Sequence, residues 1–148
     1  MLARGVCAKD GFVLLCHTRG ADNTYLPGGH IECGEGAAAA LEREMAEECG
    51  CRASSGRFLG VVEHGFVQKS RLHFEINLLF IIDIPGLSPQ LAVKATEPHI
   101  DFRWHSLAKL ARVRLEPAVL CRLLPAWLDP AFGGARFARC GLLAENLQ

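Results

Sequence analysis

Residues 28 to 51 read GGHIECGEGAAAALEREMAEECGC and place four glutamates, Glu42, Glu44, Glu47 and Glu48, within seven positions behind a glycine-rich turn. Leu41, Met45 and Cys49 recur at helical spacing, and Gly50 stands where a helix takes a left-handed closing residue. The pattern therefore predicts a helix over 36–49. At about 100° per residue, with Glu44 at zero, Glu47 falls at about −60° and Glu48 at about +40°, so the three acids share a face. Leu41, Ala38, Met45 and Cys49 form an apolar stripe beside it. Ala37 and Ala40 fall on the acidic side and leave space there. Like charges three and four residues apart repel by roughly a few tenths of a kcal/mol, and Arg43 is the only cation on this helix. A hard divalent cation joining the carboxylates accounts for the arrangement, since Mg²⁺ and Mn²⁺ prefer oxygen ligands. A plain solvated acidic face is the competing reading.

Before the helix, LPGG at 26–29 combines a proline that fixes φ with two glycines that allow close backbone approach, so backbone groups there can face a ligand. Working outward, RGVCAK and FVLLCHT are short β-rich runs around Asp10-Gly11, a strong hairpin signal. RGADNTYLPGG reads as a loop. RFLGVVEHGFVQ and RLHFEINLLFIIDI are two further strands turning at Lys69-Ser70. PGLSPQLAVKATEPH is loop-like, DFRWHSL gives a short strand, and Pro117 to Leu128 a second amphipathic helix opened by its proline. Strands mixed with two helices predict an α/β or α+β layered domain in which helices cover a mixed sheet. The length of 148 residues suits a single domain over 1–148. The tail, 130–148, has no clear period, and its packing against the domain or against a second copy in a homodimer stays open.

The chain carries 16 basic and 16 acidic residues, so no broad field attracts nucleic acid polymers or membranes, and any phosphate must be held locally. No apolar run is long enough to span a bilayer, and the expected location is cytoplasmic. Seven irregularly spaced cysteines predict reduced, largely buried thiols rather than a disulfide framework. Cys33, Cys49 and Cys51 lack the paired spacing of a zinc site.

Gly29, Glu35, Arg43-Glu44-Met45, Glu47-Glu48 and Gly50-Cys51 match G-x5-E-x7-R-E-U-x-E-E-x-G-U, where U is a bulky aliphatic, and so the chain resembles the Nudix hydrolases. All seven fixed letters are present; at roughly 7% background each, a chance match is on the order of one in 10⁸ per starting position. Cys51 is a small apolar substitute at the last aliphatic position. The resemblance implies an α/β/α sandwich around a mixed sheet and hydrolysis of a phosphoanhydride bond in a nucleoside diphosphate linked to another group. It makes Glu47 and Glu48 metal ligands and Glu44 a ligand or a base, with the carbonyl of Gly28 completing the inner shell. Glu35 and Arg43 pair to brace loop against helix, while Gly29 and Gly50 are structural. The implied ion is Mg²⁺ or Mn²⁺. Such a metal and a carboxylate together activate water and neutralise phosphate charge.

A further base or ligand is expected from Glu97, with Asp101 as the alternative. His30, Glu32, Glu75 and Phe66 are the substrate-contact candidates. His64, His73, Tyr25, Phe74 and Trp104 read more readily as structural residues. EHGFVQKS, beyond the motif, has neither the proline of ADP-ribose hydrolases nor the tyrosine of diadenosine polyphosphate hydrolases. The leading expectation is a MutT-like nucleoside triphosphate pyrophosphohydrolase releasing a monophosphate and pyrophosphate. Hydrolysis of ADP-ribose, a dinucleoside polyphosphate or a nucleotide sugar is the alternative. So is a nucleotide-binding module without turnover.

Overall fold

The computed structural model describes residues 1–134 and 136–141. Two mixed sheets lie between two helices, the mixed α/β architecture that the alternating elements predict. In the first sheet, β1 (Leu2–Val6) runs parallel to β6 (Arg71–Asp83), which pairs antiparallel with β5 (Ser54–Gln68), and β5 pairs parallel with β9 (Phe137–Gly141). The second contains β2 (Ala8–Lys9), β3 (Phe12–Thr18), β4 (Thr24–Tyr25), β7 (Ile100–Ser106) and β8 (Leu115–Glu116), with β3 at its centre.

The hairpin at Asp10-Gly11 forms, both residues having positive φ, 50° and 77°, as a tight two-residue turn requires. The run before it is not one strand, however. Up to Val6 it belongs to the first sheet, and only Ala8–Lys9 pairs with β3. Buried Cys7 is the crossing point, its carbonyl accepting the Leu14 N–H at 3.0 Å. The stretch expected to be loop over 19–29 contains β4, held by β3 on one side and β8 on the other. β9 lies within the stretch read as tail, whose residues 135 and 142–148 are outside the described residues.

Helix α1 (Ala37–Cys49) is closed by Gly50 at φ 62°, whose N–H reaches the Ala46 carbonyl. Its apolar side packs with Ala3, Cys16, Ile82 and Phe102 in one core; α2 (Leu120–Leu128) packs through Leu124 and Trp127 with Val62 and Leu79 in the other. The second helix begins three residues later than its proline suggests: Pro117 forms a preceding turn that accepts the Leu120 N–H, and the helix tolerates Pro125 inside it. All seven cysteines are free, with Cys33 exposed on the loop before α1. Among the described residues no helix is long and apolar enough to cross a membrane.

Candidate active site

The LPGG turn threads between β1 and α1. Gly5 N–H donates to the Pro27 carbonyl and Ala3 N–H to the Gly29 carbonyl, both at 2.9 Å, so the turn is pinned as if it were an additional strand. Gly28 adopts φ +113°, and a Cβ there would strike the Ala3 carbonyl and approach Leu41 Cδ1 to 2.9 Å. Gly28→Ala is accordingly expected to cost about 2 kcal/mol or more. The urea midpoint measures it, and an unchanged midpoint would mean the turn is free to shift.

Each glutamate of the helix has a different environment. Glu42 leaves the acidic face and accepts from Ser55 N–H and Oγ, tying α1 to β5. Glu48 is only 7% exposed and accepts the Gly28 N–H at 3.1 Å through Oε2. The buried arc of α1 runs from Ala40, at about −40° on the wheel used above, to Cys49 at about 140°, and Glu48 falls near its middle. The acidic and buried sides of the helix therefore overlap. Ala40 belongs to the core rather than to open space beside the acids, and Ala38, nearer the end of the helix, is exposed instead.

Burial pushes the Glu48 carboxyl up to about 7 against the Gly28 hydrogen bond and the Arg4 charge, with Glu44 and Glu97 adding to the rise. Glu44 sits under Gly29, where any Cβ would collide with its carboxylate. Glu47 is half exposed.

Arg43 gathers this side. Its Nη2 and Nε donate to Glu35 at 2.6 and 3.3 Å, its Nη1 to Glu44 and Glu47 at 3.1 and 3.3 Å, and Nη2 also reaches the His30 carbonyl. Glu35 in turn accepts the Glu32 N–H, closing the loop before α1. The Arg43 hydrogen bonds and then that N–H hold the Glu35 carboxyl below its ordinary range. Among the described residues no three ligating side chains converge into a finished metal cluster; Glu44 and Glu47 point to Arg43. The donor set nevertheless suits a hard divalent ion: carboxylates around a turn whose missing Cβ leaves room for Glu44, while the Gly28 carbonyl accepts from Arg4 Nη1 and has its second lone pair left.

Glu97 lies on the 84–99 loop, which is anchored to the end of α1 by Thr96 N–H donating to the Glu48 main-chain carbonyl at 2.8 Å. Its carboxylate contacts His99 Nε2 at 3.2 Å. Asp101 stands on β7 and pairs with Arg19 at 2.9 Å.

A cavity of about 400 Å³ adjoins the turn between the sheets, lined among others by Arg4, Tyr25, His64, Phe66, Glu75 and Glu116. Glu75 and Phe66 are thus in its wall, with Phe66 stacked between His64 and His73 at 4.9 and 5.1 Å. His30 and Glu32 do not line it; both are exposed on the loop before α1, where main-chain groups carry their contacts. Trp104 packs against the first core, and Phe74 is 61% exposed on the outer sheet face. Arg4 is the residue the sequence reading missed. A lone arginine inside a short apolar strand, LARGV, is the signal that marks it.

A sequence model of the family described as NUDIX domain matches residues 2–123. An ADP-ribose pyrophosphatase of Methanocaldococcus jannaschii is 31% identical over 112 residues, covering 72% of this chain and 63% of that protein. The chain thus spans less than two thirds of that relative's length. Among solved structures, a UDP-X diphosphatase superposes with a TM-score of 0.66 at 19% identity, over 93% of this chain and 66% of that one. The ORF135 protein of E. coli does so with a TM-score of 0.59 at 25% identity, over 88% and 92%.

Proposed function

We propose, given that this chain belongs to the Nudix hydrolase family, that it is a pyrophosphohydrolase of nucleoside triphosphates, releasing a nucleoside monophosphate and pyrophosphate. The observation that carries this reading is a cavity of about 400 Å³, aromatic on one wall at Phe66 and His64, whose Arg4 also reaches the Gly28 carbonyl of the glycine turn. A second reading, hydrolysis of ADP-ribose, is favoured by the name of the archaeal relative.

Members of the family need divalent metal ions, and Mg²⁺ or Mn²⁺ is the ion assigned here. Glu44, Glu47, Glu48 and the Gly28 carbonyl would hold it, and when bound it supplies Lewis acidity that neutralises charge on the bridging phosphates. The protein's own groups do the rest. Glu44 or Glu97 accepts the proton of the attacking water, Glu97 being kept near Glu48 by the Thr96 anchor. The Glu35–Arg43 pair keeps Glu44 and the loop in register, and Phe66 offers a face for a base.

Turnover of a panel of nucleoside triphosphates, ADP-ribose, dinucleoside polyphosphates and nucleotide sugars with Mg²⁺ or Mn²⁺ is the deciding assay. The expected outcome is monophosphate plus pyrophosphate from a triphosphate. Faster cleavage of ADP-ribose would select the second reading, and metal binding without any turnover would overturn both.

A further inference from the structure

Arg4 connects the glycine turn to the cavity. Its side chain leaves β1 toward the space between the sheets, where Nη1 donates to the carbonyls of Leu26 and Gly28 at 3.1 and 2.5 Å, and Nε to Asn77 Oδ1 at 3.4 Å. The Tyr25 ring lies 5.6 Å from the guanidinium carbon. Every one of these acceptors is neutral. Among the described residues Arg4 forms no ion pair, and its Nη2 has no hydrogen-bond partner. The carboxylates of Glu75 and Glu48 act on it only through their fields, and burial lowers its pKa more than these raise it.

A partly buried guanidinium without a counter-ion is costly, and the residue keeps its charge under all ordinary conditions. Its fork geometry suits a planar or tetrahedral oxyanion, and two of its five N–H groups remain free at the cavity it lines. A contacting anion is the partner Arg4 lacks. The same lining holds the aromatic faces of Phe66 and His64, the carboxylates of Glu75 and Glu116 and a second cation, Arg114, so a phosphate attached to a base-bearing group would be held on the arginine side of the cavity.

We propose that Arg4 binds a phosphate oxygen of the substrate through Nη2 while Nη1 holds the Leu26 and Gly28 carbonyls, so that one side chain aligns the phosphate chain with the glycine turn. This rests on the nucleotide-hydrolase reading above, and a single fork explains both sets of contacts. Lysine, a point charge without a fork, can serve the carbonyls or the phosphate but not both.

The test is binding of α,β-methylene ATP and α,β-methylene GTP, compared with adenosine and guanosine, to the wild-type chain, Arg4→Lys and Arg4→Met. Calorimetry without divalent ions and then with Mg²⁺ gives the affinities, and thermal melting with and without Mn²⁺ reports the fold and the ion site. Arg4→Met is expected to lose at least about tenfold in affinity for the better-bound analogue, the scale of a charge-assisted hydrogen bond, and Arg4→Lys to fall between it and the wild type, while nucleoside binding stays unchanged. Arg4→Lys should retain its Mn²⁺-induced thermal shift. Equal affinity of wild type and Arg4→Met for that analogue would overturn the assignment, as would equal loss for nucleoside and nucleotide, which marks a collapsed cavity. A wild type that binds neither analogue overturns it too. The turnover panel separates this from the activity itself: specific loss of analogue binding in a chain that hydrolyses nothing sustains Arg4 and removes the hydrolase reading, and robust hydrolysis with unchanged Arg4→Met binding does the reverse.

Discussion

Glu47→Gln/Glu48→Gln is expected to lose at least about 10²-fold in kcat with a melting temperature no lower than that of the wild type at neutral pH. Removing outer-shell partners of metal sites already costs 10–100-fold, and these substitutions remove two proposed ligands outright. The fold should survive for reasons specific to each position. Glu48 holds the turn by accepting the Gly28 N–H, and glutamine retains an acceptor oxygen of the same reach. Burial disfavours its negative charge, so the neutral amide also relieves desolvation. Glu47 is half exposed, and its contact with Arg43 duplicates what Glu35 and Glu44 provide. Three readouts check the prediction together: steady-state rates in Mg²⁺, the thermal midpoint without metal, and the rise of that midpoint in millimolar Mn²⁺, which follows from binding to the native state. Loss of rate and of the Mn²⁺ shift with an undiminished midpoint is the expected pattern. Full activity in the double variant would remove the carboxylate-held ion from the mechanism. Glu42→Gln is the control: its contacts go to Ser55, away from the turn, so it should affect stability before rate.

What local sequence could reveal, it did. The hairpin at Asp10-Gly11 follows from two residues that accept positive φ, and α1 with its Gly50 end follows from spacing and one left-handed position. The grouping of Glu35 and Arg43 is a short-range contact carried by the loop before the helix. Failures occur where the partner is distant in sequence. Cys7 moves the chain from one sheet to the other because Leu2–Val6 finds its register on β6, more than seventy residues later, and no alternation within RGVCAK encodes that. β4 has two residues and exists because β3 and β8 flank it. The helical wheel placed Glu44, Glu47 and Glu48 on one arc yet could not say which one faces inward. That depends on β1 and the LPGG turn closing over Glu48. Arg4 escaped for the same reason, since its acceptors lie at residues 26, 28 and 77.

The buried position of Glu48 makes an unusual dependence of stability on pH the second large expectation. Its carboxyl titrates at about 7 in the folded chain against an ordinary value of 4.5, because desolvation outweighs the Gly28 hydrogen bond and the Arg4 charge. Between those values the folded state holds a proton that the unfolded state has released, so unfolding becomes easier as pH rises. The contribution of the protonated group is fully present below 4.5 and is lost as pH approaches about 7, a span worth up to about 3 kcal/mol at 1.36 kcal/mol per unit. Metal-free protein should therefore show a melting temperature that falls across this window on top of any general trend, and Glu48→Gln should flatten that part. A divalent ion reverses the sign, because it binds the deprotonated carboxylate and its uptake expels the proton. The Mn²⁺-induced thermal shift should then grow from pH 5 to pH 7.5 in the wild type and stay small throughout in Glu48→Gln. If wild type and variant followed parallel melting curves in metal-free buffer, the raised Glu48 carboxyl would be refuted whatever the activity. If they diverged without metal but showed the same Mn²⁺ response, Glu48 would be a buried acid serving the turn alone, and the ion would have to rest on Glu44 and Glu47.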